Sequence, residues 1–152
     1  DGIRTWFIEK ETELDEFMEV RMAIEPVAVR FAAARATDAE IDEIDAIHGD
    51  FVDAIEDGDA MSLAKLDEAF HTAIVEASHN TMLAKMHGLV TDALRDYRIR
   101  SFAVAENVRN ALGPHRSILE ALKNGDADCG VAAMHEHLVI SLDDIRRVAH
   151  DE

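Results

Sequence analysis

Apolar side chains recur every three to four residues along most of this chain, in successive runs broken by short polar clusters, which is the pattern of amphipathic helices. The spacing predicts a first long helix from about Glu11 to Arg35, with a stripe of Leu14, Phe17, Met18, Ile24, Ala28, Phe31 and Ala32. Thr37 opens the next helix: its hydroxyl can accept from the Glu40 amide while the Glu40 side chain reaches back, and Gly58 in "EDGD" closes it. A third helix is predicted from about Ala60 to Ser78, with Leu63, Leu66, Phe70, Ala73, Ile74 and Ala77 on its apolar side. A fourth follows the N-cap Asn80 and runs to about Phe102. Gly113-Pro114 reads as the start of a further helix ending at "NGD", with room for a short helix before it. Asp126 caps the last, from about Ala127 to Ala149. The expected architecture is all-α, an antiparallel bundle of about six to seven helices joined by short loops, in one domain.

Several polar residues interrupt these stripes. Arg21 and Glu25 fall inside the apolar face of the first helix, where each ion costs several kcal/mol unless it is paired. Two readings stand open: an intrahelical Arg21–Glu25 pair, or an Arg21 that faces an internal cavity and holds the carboxylate of a bound small molecule. On the third helix Asp67 and His71, four residues apart, share one flank of the stripe. His115 continues the inward series of Ile118, Leu119 and Leu122. The last helix leaves His135 on one border of its stripe and His137 on the other, and periodicity does not choose between them. His48, His79, His87 and His150 read as surface, loop-end or terminal residues. One carboxylate and three neutral imidazoles, if brought together, suit a divalent transition metal such as zinc, nickel or manganese.

Charge narrows the partners. Against 15 basic residues stand 32 acidic ones, a formal net charge of −17 that repels phosphate backbones and anionic membrane surfaces. The densest basic run, Arg95 to Arg100, is short and reads as solvated or paired. The single cysteine, Cys129, excludes an internal disulfide framework and fits a reducing compartment; it reads as an inert helix-entry residue. The apolar stretch Trp6 to Ile8 is too short for a signal-peptide core, and no run approaches a transmembrane span, so a cytoplasmic protein is expected. A start at Asp1 rather than methionine hints at a piece of something longer.

Hydrolytic or redox chemistry finds little support. Glu68 to His71 forms a single E-x-x-H string where di-iron bundles use two, and no phosphate loop, H-E-x-x-H motif or G-x-S-x-G context occurs. Beyond Glu68 or Glu136 no general base is evident. A metal-dependent helical-bundle enzyme acting on a small carboxylic acid is the alternative to a binding domain.

Read in order, "EFMEVRMAIEPVAVRFAAARAT", "LDEAFHTAIVEASHNTML", "GPHRSILEALKNGDAD" and "AAMHEHL" resemble the ligand-binding C-terminal (FCD) domain of FadR-type, GntR-family bacterial transcription regulators, over nearly the whole chain. The resemblance implies that Asp67 and His71 supply two metal ligands, that His115 is a third, and that His137, rather than His135, is the fourth. It also implies a homodimer whose pocket takes a small organic or sugar acid beside the metal, with Arg21 as a candidate for the acid's carboxylate. In that family DNA is read by a separate N-terminal winged helix-turn-helix domain, so the segment Asp1 to Glu152 is expected to be an effector domain alone.

Overall fold

The structure, a computed structural model, describes Gly2, residues 14–150 and, for His150, the backbone only. Among the described residues six helices follow one another: α1 Leu14–Arg35, α2 Asp38–Ala54, α3 Ala60–Ala77, α4 Thr81–Phe102, α5 Ala105–Lys123 and α6 Ala127–His150. The fold is an all-α bundle, with no strand among the described residues. The expected beginning of the first helix at Glu11, and the Trp6 to Ile8 stretch, lie outside those residues. No described helix is long and apolar enough to cross a membrane.

Local chemistry sets most of the boundaries. The Glu40 amide donates to the Thr37 hydroxyl at 3.2 Å while the Thr37 amide donates to the Glu40 carboxylate at 2.8 Å, the reciprocal box expected from the spacing. Asn80 accepts from the amides of Met82 and Leu83, both at 3.1 Å. At "NGD" one turn serves two helices. Gly125, at φ 64°, takes the left-handed cap of α5, and the Asp126 amide reaches back to the Ala121 carbonyl at 2.9 Å. The Asp126 carboxylate then accepts from the Cys129 amide at 3.0 Å and starts α6.

Around Gly113-Pro114 the structure differs from the expectation. No helix begins there: α5 starts at Ala105 and passes straight through Pro114. A mid-helix proline removes one backbone hydrogen bond and costs about 3 kcal/mol. Against that, Val108, Ala111, His115, Ile118, Leu119 and Leu122 keep one unbroken buried stripe across it. Full burial of each large apolar side chain stabilises by about 1.5–3 kcal/mol, so the stripe outweighs the cost of the proline.

Helix α1 packs chiefly on α6, α6 on α5, and α3 on α2 and α4. Three apolar clusters result, one around Phe70, Ile74, Ile118 and Leu138, one around Phe51, Leu63, Phe102 and Val108, and one around Phe17, Met18, Leu94 and Ile145. Gly130 lets α6 approach α1 closely: a Cβ there would stand 2.7 Å from Cγ1 of the fully buried Val29. Val29 is β-branched and has little rotamer freedom with which to move aside. Gly49, by contrast, is exposed within α2 and has nothing within 4 Å of a Cβ. Urea unfolding should therefore separate the two: Gly49→Ala gains about 0.5–1 kcal/mol from helix propensity. Gly130→Ala loses about 1–3 kcal/mol by overpacking. Equal shifts would refute the close approach.

Candidate metal centre and adjoining cavity

Four of the predicted residues meet. Asp67 and His71 from α3, His115 from α5 and His137 from α6 are all buried, and one ligand atom from each lies within 4.8 Å of the other three. His71 and His137 point their Nε2 atoms at each other at 3.0 Å, with rings stacked 14° from parallel. Nε2 of His115 stands 2.9 Å, and Nε2 of His71 3.5 Å, from Oδ1 of Asp67. Ligand atoms about 2.1 Å from an ion stand about 3.0 Å apart at a right angle and about 3.4 Å apart at the tetrahedral angle, so the separations of 2.9, 3.0 and 3.5 Å suit a coordination shell, while the 4.8 Å that bounds the set is wider than one.

Hydrogen bonding alone does not account for the cluster. Oδ1 of Asp67, both ring nitrogens of His115 and Nδ1 of His137 are buried without a hydrogen-bond partner, although His115 and Asp67 are close. Ring nitrogens and a carboxylate oxygen brought this close, several of them unmatched, are a donor set fit for a cation. His71 is further specified by Glu25, whose Oε1 lies 2.5 Å from its Nδ1. A carboxylate on Nδ1 fixes that proton and turns Nε2, as a lone pair, towards the cluster.

Asp67 and His71 thus sit at the centre of the buried face of α3 rather than on its flank. The apolar stripe of α3 rotates slightly because Ala64 and Val75 are buried while Leu66 and Ala73 are only half-buried. His137 is buried and His135 exposed, so the helix border that periodicity left open is decided by α6 packing on α5 and α1.

Arg21, read as facing either a partner on its own helix or a cavity, is committed to Glu25. Its Nε bonds Oε2, its Nη2 lies 3.3 Å from Oε1, and its Nη1 lies 3.8 Å from the sulfur of Met18. Both members of the pair are buried. Within the basic run expected to be solvated or paired, Arg98 is paired and, unlike a solvated residue, only 3% exposed: its Nε stands 2.9 Å from Oδ2 of Asp67. The same helix wheel that exposes Arg21 also aligns His87, Val90, Leu94, Arg98 and Phe102, so the signal was present but masked by the surrounding charges. His48 and His87, expected at the surface, are buried too. His48 packs its ring against His115 at 5.7 Å, and His87 lies 3.7 Å from Glu25 and within 3.5 Å of the Thr91 hydroxyl. His79 is exposed as expected and meets Glu40 at 3.0 Å; the side chain of His150 lies outside the described residues.

Beside the cluster, between α4, α5 and α6, a narrow cavity with room for about one water is lined by Asp67, Arg98, Ser101, Asn107, His137, Ser141 and Asp144 among others. At its rim Asp144 pairs with Arg147 and accepts from Asn110 at 3.2 Å.

Burial and charge set the protonation of these groups. Burial opposes ionisation of Asp67, but His71, His115 and Arg98 overcome it and hold the carboxyl well below its usual range. Glu25 is likewise held well below, by Arg21 and His71 against its own desolvation. Burial lowers His71, but Glu25 and Asp67 outweigh it and raise the imidazole. His115 and His137 are lowered, first by burial and, for His137, also by the two neighbouring histidines. Burial pulls Arg98 below the ordinary guanidinium value even against Asp67.

A family profile described as the FCD domain matches residues 16–139, and the chain belongs to that family. It is 31% identical over 141 residues, covering 90% of this chain and 53% of the relative, to the putative L-lactate dehydrogenase operon regulatory protein of Escherichia coli K12. It is 25% identical over 132 residues to the galactonate operon transcriptional repressor of the same organism, covering 84% of this chain and 57% of that one. The chain therefore spans about half the length of these curated relatives, which are named for transcription regulation. Among solved structures, Streptococcus agalactiae GntR superposes with a TM-score of 0.79 at 22% identity, covering 91% of this chain and 63% of that one, and shares the fold.

The protonation pattern has a consequence for the chelator-stripped protein. The raised His71 contributes stability that is complete below about pH 6.5 and lost as pH rises through its folded value. The lowered His115 and His137 act oppositely: below about pH 6.5 the unfolded chain takes up protons that the folded one refuses, and stability falls. Melting temperatures should fall as pH drops below about 6.5, where His115 and His137 stay neutral only in the folded chain, and fall again once pH passes the raised value of His71; stability unchanged between about pH 7 and 5 contradicts this arrangement.

Proposed function

We propose that this chain is the effector-sensing domain of a GntR/FadR-type transcription regulator, in which Asp67, His71, His115 and His137 hold a divalent transition metal, zinc, nickel or manganese, and a small organic or sugar acid binds beside it. The observation that carries the reading is the convergence of three imidazole Nε2 atoms and one carboxylate oxygen, several of them buried with no hydrogen bond. The ion supplies a Lewis-acidic centre for an anionic oxygen. Charge supports an acid as the ligand. The two innermost arginines balance the two innermost carboxylates, Glu25 and Asp67, so a divalent ion leaves uncompensated positive charge in a buried site. The two relatives' names, galactonate operon and L-lactate dehydrogenase operon, point to hydroxylated carboxylic acids.

Five of the six helices contribute to the cluster or to its immediate partners. A ligand that binds one packing of these helices better than another shifts the population between them. In the intact regulator, taken as a homodimer, that shift reorients the N-terminal winged helix-turn-helix domains that read DNA.

Elemental analysis of the native chain should find about one divalent ion, and His115→Ala and His137→Ala should each lose it; full stoichiometry in both variants sinks the metal reading. Glu25→Gln should weaken metal binding by about 10–100-fold through His71, as partners of metal-bound histidines do. An affinity equal to wild type removes Glu25 from the site. The enzyme alternative makes a different demand, namely metal-dependent turnover of a bound acid that Asp67→Ala abolishes.

A further inference from the structure

We propose that Arg98, and not Arg21, grips the carboxylate of the acid, and that the cavity between α4, α5 and α6 selects a short hydroxylated carboxylate. This rests on the effector reading above and deepens it.

The two buried arginines are in opposite situations. Arg21 presents two nitrogens to Glu25 and the third to Met18, and it does not line the cavity. Arg98 is anchored by Nε alone, on Oδ2 of Asp67 at 2.9 Å. Its Nη1 and Nη2 are buried and have no hydrogen-bond partner among the described residues. The other nearby anion, Glu68, stands 3.7 Å from Nη1 and is itself held by Arg95 at 2.7 Å. A buried guanidinium with both terminal nitrogens unmatched is costly as it stands and is shaped to take a carboxylate two-handed.

Position fits the same role. Arg98 lines the cavity together with Asp67 and His137 of the cluster, so an anionic head group there meets the ion site on one side and the guanidinium on the other. Asp67 joins the two: one of its oxygens faces the histidines and the other steers Arg98. Further in, Ser101 accepts from Asn107 at 3.2 Å, which leaves its hydroxyl proton free to donate, and Ser141 adds a second hydroxyl. Ile140 and Ile145 close the space with apolar surface. The hydroxyls suit the head of a short hydroxylated acid, and the space between Phe102, Ala111, Ile140 and Ile145 is too narrow for a long acyl chain. Its binding also ties α4 to α5 and α6.

The test is calorimetry of the zinc-loaded chain with a panel of two- to six-carbon acids, acetate, L-lactate, succinate and D-galactonate, in wild type, Arg98→Gln, Arg98→Lys and Arg21→Lys, with zinc content measured for each. Losing the charge-assisted pair in Arg98→Gln should weaken the tightest-binding acid by about 10–100-fold at unchanged zinc content. Arg98→Lys should recover part of it, and Arg21→Lys should weaken the acid less than Arg98→Gln does. Hydroxylated acids should outrank acetate and succinate. Binding that survives Arg98→Gln, or falls further in Arg21→Lys, overturns the assignment and leaves the effector reading intact. Loss of zinc from Arg98→Lys shows that Arg98 serves Asp67 instead, and also overturns it. If none of the acids binds the zinc-loaded wild type, the effector reading and this assignment fall together.

Discussion

A carboxylate buried in the middle of a helical bundle is the constraint on which this structure turns. Asp67 is removed from water, and an ion so placed costs several kcal/mol unless its surroundings return the lost solvation. The chain returns it from three helices at once. Arg98 on α4 takes one oxygen, and His115 on α5 and His71 on α3 approach the other. Glu25 on α1 repeats the arrangement one layer out, between Arg21 and His71. Each of these side chains is in place because its helix packs where it does, so the polar centre and the bundle specify each other.

The polar centre lies where the three apolar clusters meet. Along α3, Asp67 and His71 fall between Leu63 of one cluster and Ile74 of another; along α4, Arg98 falls between Leu94 and Phe102; along α6, His137 falls between Met134 and Ile145. A change in the charge or coordination of this centre is therefore felt by all three packed regions, which are dense and shift between discrete arrangements rather than deforming smoothly. That placement suits a sensor, whose task is to convert a small molecule into a change of helix packing.

Membership of the FCD family and the likeness to known GntR-type structures account for the bundle. Fold alone does not assign a ligand, because the same scaffold carries different sites. What distinguishes this chain lies in its own residues: which arginine is free, which is occupied, and which hydroxyls line the cavity between α4, α5 and α6.

The sequence by itself determined the helices and most of their ends, because caps and left-handed turns are local: Thr37 with Glu40, Asn80, and the glycine-aspartate turn at Gly125 act within a few residues. It also brought Asp67, His71 and His115 into view, through the periodicity of single helices, and family resemblance added His137. What a single helix cannot express is which of two borders faces a neighbour, or which buried ion answers another across the bundle. Those were settled only in three dimensions: His137 inside and His135 outside, α5 running through Pro114, Glu25 behind His71, and His48, His87 and Arg98 drawn into the interior. The reason is physical. Capping is decided over one helical turn, whereas burial and charge pairing depend on helices far apart in the chain.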